Sequence, residues 1–304
     1  MSKGIFYILA SGLSFLVVNF FVKIIGQGPD GDVLPSPVKL PTHELVFFRS
    51  IVSFIISFYF IKKNKLTLLG NNRKWLLIRG FSGMIALTMF FYTIDHLPMA
   101  IAATIQYLAP LFTVILAVFI LNEKVKFLQW LFISVAFIGT LLIGLANFFQ
   151  EDATAKISWF WIGIGVLSSL FTGLAYNSIL KAKETEHALN IVVYFPLIGI
   201  PVMGIWCLFD FVMPQGIVWF YLIIIGVFTQ IAQMAMTKAF QSGNASTISP
   251  FQFVGSIYAL LVGYFIFDEQ LSLAILVGMF FILLGVVMNI FVKGNKISSS
   301  KPLS

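Results

Sequence analysis

Residues Pro98–Val125 read PMAIAATIQYLAPLFTVILAVFILNEKV, and the fold follows from them. From Met99 to Leu121 the run holds about 23 residues without a charge. At 1.5 Å per residue such a run crosses a hydrocarbon core of about 30 Å. It begins behind the turn Asp95-His96-Leu97-Pro98 and stops at Asn122-Glu123-Lys124. The pattern returns 146 positions later as NASTISPFQFVGSIYALLVGYFIFDEQL, Asn244–Leu271. With that offset Gln106 falls on Gln252, Glu123 on Glu269 and Gly139 on Gly285. A repeat of this kind sets the architecture, because each copy is one structural unit.

Composition agrees. The 304 residues are 59% hydrophobic and 10% charged, whereas a soluble domain carries about 25% charged residues. The charges fall between long apolar runs, as in a polytopic membrane protein. A net charge of +7 and a pI near 9.4 would suit a nucleic-acid binder. The basic residues, however, sit in short alternating links, which is a membrane-orientation pattern. Cys207 is the single cysteine, so no internal disulfide forms. The first run resembles a signal peptide, but it is long and no small-residue cleavage site follows, so it reads as an uncleaved span.

Ten apolar runs are expected as spans: 4–25, 43–61, 75–94, 99–121, 127–149, 157–180, 189–212, 217–240, 245–267 and 271–292. With the N-terminus placed in the cytoplasm, that side collects fourteen lysines and arginines, and the other collects only Lys39 and Lys156. The bias puts both termini in the cytoplasm. The link 26–42 is rich in Pro, Gly and Asp and reads as a loop. The tail 294–304 reads as disordered and cytoplasmic.

The repeat divides the chain at 1–149 and 150–293, five spans to each half. An odd number makes the second half enter from the opposite side. The expected fold is therefore an all-α integral membrane protein of ten transmembrane helices in two inverted five-helix repeats. Such repeats place a substrate near the midplane between them. The early spans echo as well: Asn19 falls on Asn177, Ser14 on Thr172, and His43 and His187 open the second and seventh spans.

The element VFFRS at 46–50, the stretch RGFSGMIALTMFFYTIDHLPMAIAATIQYLAPLF at 79–112 and the terminal NE and DE pairs resemble the EamA family of the drug/metabolite transporter superfamily. The resemblance covers about residues 4–292. It implies a ten-helix carrier working by alternating access, with spans five and ten at the periphery. Its motifs point to the family and not to a substrate, since relatives carry amino acids, nucleotide-like metabolites, S-adenosylmethionine, sugars and drugs. The second half departs from the pattern: Pro110 falls on Ser256, and span seven has no counterpart to Arg49.

Charge within a membrane costs about 2.5–3.5 kcal/mol at a helix centre on insertion scales, so each instance needs a reason. Arg49 lies about six residues inside span two. It either snorkels to the headgroups or turns inward to bind an anionic group or hold a gate, the reading that its VFFRS setting favours. Arg79, one turn into span three, is expected to anchor at the near face, with a gating role as the alternative. Glu44 is placed to pair with Arg49, and Glu44 or His43 to carry a coupling proton. Glu123 and Glu269 end spans four and nine, either as gate charges or as structural span ends.

Uncharged polar residues mark the expected cavity. Gln230 and Gln233 share one face of span eight with Thr237 and Gln241, and Ser249, Gln252 and Ser256 share one of span nine. Gln106, Tyr107 and Tyr92 answer from the first half, Asn19, Tyr176 and Asn177 from spans one and six. Tyr258 adds an aromatic surface with a polar tip. The competing reading is that these groups bond helix to helix, at about 0.6 kcal/mol each.

No GxSxG elbow, HExxH pair or GxxxxGK[ST] loop is present in the sequence, which argues against a hydrolase, a zinc enzyme and direct ATP coupling. No filter-like motif supports a channel. The expectation is a secondary transporter of a small metabolite in the cytoplasmic (inner) membrane, driven by a proton gradient or by exchange. A multidrug or organic-cation exporter of the same fold is the alternative. No cofactor or metal is expected. The partners are a small-molecule substrate and the lipid bilayer, without nucleic acid, and with a homodimer as a further option.

Overall fold

The computed structural model describes residues 3–30, 34, 36–96, 105–150, 159–255, 257–258, 261, 265 and 273–291. Among these residues the regular structure is helical and there is no strand. In chain order the helices are α1 (Lys3–Gln27), α2 (Thr42–Lys63), α3 (Arg73–His96), α4 (Ala109–Leu121), α5 (Phe127–Gln150), α6 (Trp159–Ala182), α7 (Ala188–Cys207), α8 (Val218–Gln241), α9 (Ala245–Ile248) and α10 (Leu273–Phe291). Six of them, α1–α3 and α6–α8, are long and apolar enough to cross a membrane.

Side-chain distribution fits an apolar solvent. Phe119, Phe127, Trp159 and Leu273 are exposed, while Ser57, Ser168, Ser169 and Asn177 are fully buried. Polar groups lie inside because lipid offers them no hydrogen-bond partner.

Local chemistry explains the ends. Pro41 precedes α2 in an extended conformation; Glu44 occupies the helix's first turn and Lys62 and Lys63 its last, charges that suit the helix dipole. Asn122 ends α4 in the left-handed region, φ 53°.

Three expected spans need correction. Span four is not one continuous helix: a turn at Tyr107–Leu108 separates Ile105–Gln106 from α4. The ring of Pro110 conflicts with the carbonyl of Gln106 in a continuous helix. Residues 99–104 lie outside the described set. Span nine opens with the four residues of α9 and then a 3₁₀ helix, Ser249–Phe253, where Pro250 acts in the same way on Ser246. The matched glutamines stand at these breaks, Gln106 just before the first and Gln252 within the second. The apolar run carries span seven to residue 212, but α7 stops at Cys207. Beyond it the main chain bonds to α2: Asp210 O lies 2.7 Å from His43 Nε2, and Val212 N–H donates to Glu44.

Helix packing positions the site. α1 packs on α8 and α3 on α6; α2 packs on α7 and α8, and α3 also on α7; α4 packs on α6 and α5 on α10. At the α5–α10 contact a Cβ on Gly139 would stand 2.6 Å from Gly278 O, and one on Gly285 would stand 2.7 Å from Ala136 N. Each of the two repeat-matched glycines thus admits the other helix's backbone. A Cβ on Gly163, by contrast, would face open space.

Candidate substrate site

Buried positions on α2 run Val46, Arg49, Ser50, Ser53, Ser57 and Ile61. That spacing of three and four is one helical face, and it is turned toward α7 and α8. Arg49 therefore points inward and is 6% exposed, so it does not snorkel. Its guanidinium carbon lies 5.2 Å from the centroid of the Phe195 ring on α7, a cation–π contact. Its Nε has no hydrogen-bond partner among the described residues. The pairing of Arg49 with Glu44 is not formed, because Glu44 turns to Val212.

Arg79 also corrects its expectation. It is 2% exposed rather than anchored at a face. Its Nη2 donates to Gln233 Oε1 on α8 at 2.8 Å, and its Nε is a second buried donor without a partner among the described residues. Tyr176 is near enough to interact with its charge. Nη1 occupies the place where a Cβ on Gly83 would stand, and Phe195 Cδ2 is 3.3 Å from that place. The two arginines thus approach Phe195 from α2 and α3. Among the described residues no carboxylate lies within 4.0 Å of either guanidinium. Two buried guanidinium groups with no carboxylate this close among the described residues are poorly compensated as charges.

The glutamines divide by role. Gln230 is used up between helices: Ser53 donates to its Oε1, and its Nε2 donates to Ser57 Oγ at 2.8 Å. Gln233 faces the other way, onto Arg79. Gln106 donates to Thr172 and accepts from Ser168, both at 3.3 Å, across α6. Gln252 keeps a buried Nε2 with no partner among the described residues. Tyr107 lies 6.2 Å from Phe253, ring to ring, and Tyr176 stacks on Phe240 at 4.9 Å. The Tyr258 ring is against Gly12 of α1. Asn19 is exposed, while Asn177 is buried and donates to Thr113 O and Gly173 O, both at 2.9 Å, so this matched pair is not equivalent. Ser256 and Glu269 lie outside the described residues.

A cavity of about 480 Å³ opens between the link before α2 and helices α2, α3 and α7. Tyr92 is on its wall, 5.8 Å from Trp206 and 6.4 Å from Trp161, and His43 stacks on Trp206 at 5.8 Å. Val46, Phe91 and Met203 also line it, and they belong to the apolar cluster of Phe195 and Met84. Cavity and guanidinium groups thus meet the same cluster.

Glu123 is a brace: it accepts from Ala245 N–H at 3.0 Å, from Ser246 N–H at 3.1 Å and from the Ser246 hydroxyl. Sequence reasoning missed Phe195, Trp161, Trp206 and Glu186. Glu186 accepts from the main-chain N–H groups of Asn71, at 2.6 Å, and Asn72. A signal for it existed, since Glu186 adjoins His187, the match of His43, as Glu44 adjoins His43.

Known proteins share this framework. The EamA-like transporter family matches residues 2–145 and again 159–291. The pseudopaline exporter of Pseudomonas aeruginosa is 25% identical over 275 residues, covering 88% of this chain and 89% of its own. An S-adenosylmethionine uptake transporter of Rickettsia felis is 23% identical over 255 residues, covering 83% and 84%. One solved crystal structure superposes with a TM-score of 0.76 at 14% identity, over 94% of this chain and 95% of its own, a likeness of fold alone.

Proposed function

Because the chain belongs to the EamA-like transporter family, a family of transporters and not of enzymes, we propose that it carries a small anionic or zwitterionic metabolite by alternating access. The observation that carries this reading is the pair of buried guanidinium groups, Arg49 and Arg79, with no carboxylate within 4.0 Å among the described residues. Gln233 holds Arg79, Phe195 faces Arg49, and Tyr176 of α6 stands near Arg79. Gln106 and Gln252, beside and within the two helix breaks, add hydrogen-bonding groups. The relatives are named for pseudopaline export and S-adenosylmethionine uptake, so a metabolite cargo is in keeping with them.

The proposed frame is the ten-helix inverted repeat, 1–149 and 150–293, in the inner membrane with both termini cytoplasmic. Support comes from the family matching twice and from packing that maps onto itself when the halves are exchanged. The α1–α8 contact becomes α6–α3, α2–α8 becomes α7–α3, and α2–α7 and α5–α10 return to themselves. Transport runs on a proton gradient or by exchange.

The test is thermal stabilisation of the purified protein by amino acids, nucleosides, S-adenosylmethionine, sugars and organic cations. A ligand of the folded state adds RT ln(1 + [L]/Kd), about 2.7 kcal/mol at 100 Kd. Carboxylates should stabilise the wild type, and Arg49→Gln should remove the effect. Stabilisation by cations or apolar drugs alone would rule out the anion centre and favour a multidrug exporter.

A further inference from the structure

Besides Glu123, two carboxylates at the ends of α2 and α7 reach between the halves of the chain to main-chain N–H groups. Glu44, in the first turn of α2, accepts from Val212 in the link after α7. Glu186, just before α7, accepts from Asn71 and Asn72 in the link after α2. The grips occupy corresponding places but are satisfied differently. Glu186 has two donors. Glu44 is fully buried, and its Oε2 has no partner among the described residues. The N-terminal dipole of α2 favours charge at Glu44, but a buried carboxylate with a single neutral hydrogen-bond donor is incompletely compensated as an anion.

The groups around Glu44 are few. His43 is its neighbour on α2, with Nε2 2.7 Å from Asp210 O and 4.0 Å from the Asp210 carboxylate. Asp210 and Cys207 face it from the end of α7, and Lys39 stands on the adjoining cavity wall. Asp210 opposes a second negative charge nearby, whereas Lys39 and a protonated His43 support one.

We propose that Glu44 is a proton-binding site, and that its protonation releases the 208–213 link from α2 and opens the cavity mouth while Glu186 stays engaged. The inference rests on the carrier reading and supplies its coupling site. The proton comes from solvent and reaches the buried Oε2 in transient openings of the link, and no other reactant is required. An ionised carboxylate is a charge-assisted acceptor and a neutral one is not, so the Val212 bond weakens on protonation. A proton on His43 acts in the opposite sense, because it adds attraction to Asp210. The two residues can therefore be told apart.

The experiment is hydrogen exchange of the full-length protein in lipid nanodiscs, corrected for intrinsic rates. The link around Val212 is read against that around Asn71–Asn72. On acidification its relative exchange should rise about tenfold or more, the factor expected for a lost hydrogen bond to a charged group. Glu44→Gln, an isostere of the protonated acid, should exchange fast at every pH, and His43→Gln should keep the wild-type response. A flat wild-type response overturns the proposal, as does a response that survives in Glu44→Gln. If Glu44→Gln does not insert, His43→Gln decides, since loss of the response there assigns the switch to His43 and overturns the proposal. A flat response in a protein still stabilised by carboxylates removes this inference alone. A pH response in a protein that no carboxylate stabilises retains the proton site and removes the anion centre.

Discussion

Gly83 stands one helical turn after Arg79, and the missing Cβ is what gives the guanidinium its place beside Phe195. Adding a methyl there meets the far end of a flexible side chain and not backbone, so the helix remains and Arg79 must move. Gly83→Ala should therefore insert and fold while weakening carboxylate binding as Arg79→Gln does. The loss should be about 10- to 100-fold, the worth of a hydrogen bond to a charged group. Unchanged ligand stabilisation in Gly83→Ala would take Arg79 out of the site. Gln230 should behave oppositely. Gln230→Leu strands Ser53 and Ser57 on α2, costing about 0.6–1.7 kcal/mol of stability, and leaves ligand affinity alone. An affinity loss at normal stability would return Gln230 to the substrate. The sequence placed both glutamines on one face of α8. It did not separate them, because the separation depends on which helix stands opposite each.

At the scale of elements, apolar runs and charge gaps make most helices legible in the amino-acid sequence. Their internal ends are less so. Past Cys207 the chain bonds to His43 and Glu44, more than 160 positions away in sequence, contacts that no local pattern encodes, although Pro214 already bars a helix from running on through it. The breaks at Gln106 and Gln252 had a local cause in Pro110 and Pro250, which a reading by hydrophobicity alone passes over. The repeat-matched glycines proved more informative. Gly139 and Gly285 each meet main-chain atoms of the partner helix at under 3 Å from an added Cβ, so backbone must shift for any side chain. Gly139→Val or Gly285→Val should lower thermal stability by about 1–3 kcal/mol, the usual cost of overpacking. Gly163→Val, which faces open space, should be close to neutral. Equal effects at all three positions would mean that the α5–α10 contact is not tight.

For the whole molecule the question is how often the chain crosses the membrane and which way round. The described part of α4 is 13 residues, about 20 Å at 1.5 Å per residue, short of a 30 Å core by itself. The ten-span reading needs residues 99–108 to complete that crossing through the break at Tyr107–Leu108. Lys63 and Lys124 flank α3 and α4, so two crossings put them on one side of the membrane and a single crossing puts them on opposite sides. The charge bias puts both in the cytoplasm and Gln215, in the α7–α8 link, outside. With Cys207 replaced by serine, single cysteines can be placed at these exposed positions. A membrane-impermeant maleimide on intact cells should label Gln215→Cys and spare Lys63→Cys and Lys124→Cys, and inside-out vesicles should give the reverse. If Lys63→Cys and Lys124→Cys are labelled from opposite sides, α4 does not cross. The first half would then hold an even number of spans, and the second half would enter from the same side as the first. The exchange of α1–α8 with α6–α3 would then have no two-fold axis in the membrane plane to explain it. A correct labelling pattern, by contrast, puts the Glu44 grip at the outer face and the Glu186 grip at the inner face, which a carrier needs if it is to open one end at a time.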